Sequence, residues 1–268
     1  MLIPLEKVKL FYEQIKRTPK FYKRKMKKTW KISDICYVTR SFSTEKGKYI
    51  DSIKSPDLAH LAGAAIRSNK VEFTVYAATL IAYAPAFQHV MKYNERDLNK
   101  RILQREKSSE FAYSLFLDFV SREYSTFDEF WLKATDVMVA LRKCYHDMGE
   151  TDFSIGNAQK WFNMFIKHFY CLCAMNEVSE DIVRITESNM FNVASFAVDR
   201  IMIEGIIQPQ LGIDFYDYTK ASSWSKCDEV EVFEAYERQV WNRVKELGYK
   251  SLFHWEFATW EPMKEFED

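Results

Sequence analysis

Two stretches of the chain hold polar residues of the types that do chemistry, each in an apolar setting. In "QKWFNMFIK", Lys160, Asn163 and Lys167 recur at i, i+3 and i+7, with Gln159 one turn before Asn163. That spacing lines one side of a helix. The second stretch, "NVASFAVDRIMIEGI", carries Asp199 between two apolar runs. An amine beside a carboxylate supplies a nucleophile or an electrostatic partner together with an anion that can orient it. Plainer roles exist for both. The stripe on the first helix would be a solvated face with its lysines snorkelling outward, and Asp199 would be the N-cap of the helix that follows it. A narrow polar stripe on a largely buried helix must face water, a partner or a cleft, because an unpaired interior ammonium costs several kcal/mol.

The elements that must hold these residues read as helices. Apolar residues recur at three and four rather than two, and only seven glycines and six prolines punctuate the chain. A helix beginning near Asn157 has Trp161, Phe162, Phe165, Ile166, Phe169 and Leu172 around most of its circumference, so burial is expected. "SPDLAHLAGAAIRS" opens with a start signal that places a helix from about Pro56. The Ala-rich run after Val71 predicts a buried helix broken at Pro85. "TFDEFWLKATDVMVALRKCYHDMG" has a Thr/Asp start and a Gly149 stop. "DEVEVFEAYERQVWNRVKELG" puts Phe233, Tyr236, Val240 and Val244 on one face and ends at Gly248. The expectation is an all-α fold: a basic N-terminal segment over 1–48 and a helical domain over 49–268.

Composition narrows the functional classes. Hydrophobic content of 47% in 268 residues suits a packed globular chain. The formal net charge is zero, so no global field selects a nucleic acid or a membrane. Charge is nevertheless segregated, since "KRTPKFYKRKMKKTWK" at 16–31 carries nine Lys and Arg and no acid. That segment would bind phosphates through Lys23, Arg24 and Lys25, or form a solvated helix face. No apolar run is long enough to span a bilayer, and the first residues are too charged for a signal peptide. A cytoplasmic monomer is expected. Five cysteines without framework spacing suit a reducing compartment. Cys171, Cys173 and His168 lack a second ligand pair, so neither a metal nor a cofactor is expected.

"IGNAQKWFNMFIK" followed by "FAVDRIMIEGI" resembles the catalytic section of the helix-hairpin-helix DNA glycosylases, most closely the divergent archaeal 8-oxoguanine glycosylases. The likeness covers about 150–205. It implies a two-lobed helical fold with a cleft between the lobes, with Lys160 attacking the sugar carbon and Asp199 assisting. Three features depart from the family pattern. The glycine-rich hairpin is reduced to Ile155-Gly156-Asn157, and Ala197 stands where the family has proline. Lys160 and Asp199 are also 39 residues apart, wider than in most relatives.

The resemblance implies a base flipped out of DNA into a pocket. Gln159 and Asn163 would read its edge, and Trp161 or Trp224 would stack on it. Gly156, Asn157 and Lys167, with the basic segment, would contact the DNA backbone. Lys160 must lose its proton to attack, which burial favours. Similar proteins act in antiphage defence, which extends the expected substrates to a glucosylated cytosine of phage DNA. Two non-enzymatic readings stand beside this one: a DNA- or RNA-binding helical module, and a scaffold docking a partner through the aromatic "LFHWEFATWEP".

Overall fold

The computed structural model describes residues 46–53, 55–87 and 98–260, and among them the chain is helical with no strand. The helices are α1 (Lys46–Ser52), α2 (Pro56–Ile66), α3 (Val71–Phe87), α4 (Leu98–Val120), α5 (Phe127–Asp147) and α6 (Ile155–Ala174). The short α7 (Glu180–Ile185) and α8 (Asn189–Val193) follow, then a π-helical turn Ile201–Ile207 that runs into α9 (Gln208–Leu211). A 3₁₀ turn at Trp224–Lys226 precedes α10 (Val230–Glu246) and α11 (Leu252–Trp260). Lys23, Arg24 and Lys25 lie outside the described residues, and α1 runs across position 48.

Local capping chemistry sets several helix ends. Ser55 accepts the Leu58 N–H and Pro56 opens α2. Thr126 accepts the Glu129 N–H at 3.2 Å while Glu129 returns to the Ser125 N–H at 2.7 Å. Gly149 and Gly248, at φ +86° and +87°, stop α5 and α10 in the left-handed conformation that glycine adopts without strain. Two boundaries differ from the sequence expectation. α3 continues through Pro85 to Phe87, because burial from Thr74 to Tyr83 holds the helix through one missing hydrogen bond. α6 begins at Ile155, not near Asn157, because Ser154 is its N-cap and forms a reciprocal box with Asn157.

Helix α6 is the axis of the fold. It packs along α3 and also touches α2, α5, α7 and the Trp224–Lys226 turn. Its aromatic side chains explain this position: Trp161 meets Tyr83 and Phe116 edge-on, and Phe165 stacks on Phe116 at 4.2 Å. Each fully buried aromatic contributes on the order of 2–3 kcal/mol of transfer free energy. The C-terminal aromatics close this same core. Phe253 and Trp255 are buried, and Phe253 packs against Tyr170, Phe191 and Phe257. That burial removes both rings from the partner-docking surface the sequence had allowed. Among the described residues, no helix is long and apolar enough to cross a membrane.

Candidate functional site

The fold brings Lys160 and Asp199 together, with Nζ 3.2 Å from Oδ2. Their side chains are 12% and 14% exposed, so the pair is mostly desolvated yet open to an approaching molecule. Asp199 has two jobs on two oxygens. Oδ1 accepts the N–H groups of Ile201 and Met202 at 3.0 and 3.1 Å, capping the π-helical turn, while Oδ2 faces the amine. The capping and ion-pair readings of Asp199 therefore both hold. Burial alone would raise the Asp199 carboxyl. The positive charge of Lys160, the Met202 N–H and the charge of Lys167 outweigh it and hold the group below the ordinary carboxylate value.

Trp224, itself 8% exposed, lies beside the pair, with Lys160 Nζ 4.9 Å from the centroid of its ring. The turn carrying Trp224 is seated on the N-terminus of α6. A Cβ at Gly156 would overlap the Trp224 carbonyl oxygen, so only glycine admits this approach.

That seating changes the expected role of the reduced hairpin. The Ile155 N–H donates to Asp228 Oδ1, the Gly156 N–H to the Cys227 carbonyl, and the Asn157 N–H to Ser154 Oγ. Asp228, itself held by Arg142, already supplies the anion that a helix N-terminus attracts. Gly156 and Asn157 are buried and leave none of these N–H groups for a phosphate, which corrects their assignment as DNA-backbone contacts.

The polar stripe of α6 is not a solvated face. Gln159, Asn163 and Lys167 are all buried, at 0%, 2% and 2% exposure. Lys167 pairs with Glu256 of α11, sealed at 3% and 1% side-chain exposure. It cannot reach a DNA backbone from there. Trp161 is likewise core: fully buried, with its Nε1–H donated to the Thr79 carbonyl at 3.3 Å. It is no stacking wall. Gln159 spends both amide atoms on Val198, accepting its N–H at 3.1 Å and donating to its carbonyl at 2.6 Å. Asn163 donates to Gln159 Oε1 at 3.2 Å, and its own Oδ1 has no partner among the described residues.

A second polar cluster was not legible in the sequence. Glu237 of α10 is fully buried and accepts the Ser195 hydroxyl, and Ser195 lies four residues before Asp199. Burial pushes the Glu237 carboxyl well above its usual range, the Ser195 bond opposes this, and the charge of Glu256 adds to it. His168 also faces inward, with Nδ1 2.9 Å from the Tyr49 hydroxyl, and burial together with the charge of Lys167 pushes it down to about 3. Cys171 and Cys173 are buried beside it as small apolar groups. Among the described residues no group of three metal-ligating side chains occurs.

Comparison with protein-family models, curated proteins and solved structures returns no match.

Proposed function

We propose that the chain is a DNA N-glycosylase with Lys160 and Asp199 at its reacting centre. The observation that carries the reading is the Lys160–Asp199 pair itself. An amine and a carboxylate lie 3.2 Å apart at a partly open position, beside an aromatic ring and on buried elements that fix both. A purely internal ion pair would need no opening.

The Asp199 carboxyl is held below the ordinary range, so it serves as a fixed anion rather than as a proton donor. A carboxylate in that position stabilises the positive charge that develops on a sugar as its bond to the base breaks. Lys160, once deprotonated, attacks the anomeric carbon. The base leaves with the electron pair of the glycosidic bond and takes up the proton that the attached amine loses; the sugar C1′–O4′ bond then opens, giving the Schiff base that permits strand nicking. The Trp224 ring beside the Lys160 amine is the surface on which the base would stack, whereas Asn163, at 2% exposure, is closed to it. The substrate class is a damaged or modified base, with hypermodified phage cytosine included. Phosphate binding falls to the basic segment over 16–31, because the N-terminus of α6 is occupied from within.

The test is base release from oligonucleotides carrying oxidised purines and from phage DNA with modified cytosine, read by alkali cleavage and borohydride trapping. Lys160→Ala and Asp199→Asn are expected to lower release by about a hundredfold or more, and only the wild type should give a trapped adduct. Loss of release without any wild-type adduct would assign water as the nucleophile. Wild-type protein that releases no base from either pool would sink the glycosylase reading.

A further inference from the structure

Gln159 sits immediately before the reacting lysine, and a carboxamide there invites the assignment of a base-reading group. The geometry points elsewhere: we infer that Gln159 is a positioning residue whose side chain clasps the Val198 backbone and thereby sets the Asp199 carboxylate against Lys160. This inference rests on the glycosylase reading for its consequence in catalysis, while its structural content stands on the contacts alone.

The contacts form a closed set. The Gln159 carboxamide accepts the Val198 N–H and donates to the Val198 carbonyl, as a neighbouring strand would, but with one side chain replacing the strand. Its orientation is fixed by chemistry. Oε1 receives two donors, the Val198 N–H at 3.1 Å and Asn163 Nδ2 at 3.2 Å, so a flipped amide would set N–H against N–H at both places. Gln159 is fully buried, which leaves water no part in the bond.

The clasp acts one residue before the carboxylate. Beyond Val198 the chain enters the turn that Asp199 caps, where Ile203 N–H returns to the Asp199 carbonyl at 2.9 Å. Asp199 is therefore held on both sides, by Gln159 through the preceding peptide and by the turn that follows. Because Gln159 and Lys160 are consecutive on α6, the same rigid helix carries both the amine and the group that places its partner. Without the clasp, the Val198 peptide loses both hydrogen bonds that hold it against α6, and the carboxylate that follows it can shift relative to the amine. A displacement on the order of 1 Å at a reacting centre costs about a hundredfold in rate.

The full-length protein labelled with ¹³C at aspartate carboxyls allows the Asp199 signal to be assigned by its loss in Asp199→Asn. Three further variants then decide the matter. Gln159→Met keeps the length of the side chain and removes both hydrogen bonds. Gln159→Glu reproduces both bonds as a neutral acid and only the accepting one as a carboxylate. Phe162→Leu loosens the same helix and touches neither group.

In Gln159→Met the Asp199 titration should move up toward the ordinary carboxylate value, and single-turnover base release should slow by roughly tenfold or more with KM unchanged. Gln159→Glu should recover the wild-type rate as the pH falls through the new carboxyl's own titration. It also serves if Gln159→Met does not fold. Phe162→Leu should lower the melting temperature and leave the Asp199 titration in place. An Asp199 titration and release rate unmoved in the Gln159 variants would overturn the inference while leaving the glycosylase reading intact. A wild type that releases no base sinks the glycosylase reading, and the Asp199 titration still decides the role of Gln159.

Discussion

Lys160 and Lys167 stand two turns apart on α6, each beside a carboxylate from a distant part of the chain. The first pair is 12% and 14% exposed and lies against Trp224, whereas the second is 3% and 1% exposed and is closed over by α11. Chemically the two pairs are alike. Burial separates what they can do: a sealed pair exchanges nothing with a substrate and holds α11 on α6, while a partly exposed pair remains within reach of one.

Removing one ammonium from each pair breaks this contrast most directly. Lys167→Met leaves Glu256 buried without its counter-charge, and urea unfolding is expected to show a loss of about 3–5 kcal/mol. Lys160→Met is expected to cost less, about 1–3 kcal/mol, since Asp199 keeps its two backbone donors. Equal losses would mean that the Lys160 pair is also structural.

A smaller effect is expected where the open pair meets its aromatic neighbour. Gly156→Ala pushes a methyl group against the Trp224 carbonyl, so the turn must shift, at about 1–3 kcal/mol. Its signature is a changed Trp224 emission, identified by subtraction of Trp224→Phe. A Gly156→Ala protein with native stability and emission would show that the turn is not seated on the helix.

The sealed side is sharpened by pH. Glu237 is raised above its unfolded value of 4.5, so the folded protein holds a proton that the unfolded chain releases. The stability due to the neutral acid is full below about pH 4.5 and declines as pH rises toward the folded value, by at most about 1.4 kcal/mol per unit. Glu237→Gln lacks this slope and should gain on the wild type between roughly pH 5 and pH 8 in denaturant titrations. Parallel stability curves would show that Glu237 is ionised in the folded state.

The sequence by itself determined the helical class and the cores of the main helices, because helical period, caps and left-handed glycines act within a few residues. Ser55, Thr126, Gly149 and Gly248 each end a helix where local chemistry places the end. It also marked Lys160 and Asp199 as two residues worth pairing. Only the tertiary structure decided which polar residues of α6 are open. Gln159 is satisfied by a residue 39 positions away and Lys167 by one 89 positions away, and no periodicity encodes either partner. Trp161 and Trp224 are similar in sequence, yet Trp161 is buried against α3 and α4 while Trp224 lies over an amine. Which face of a helix is sealed depends on the elements that pack there from far along the chain, and that long-range burial separated the structural groups of this helix from the reactive candidates.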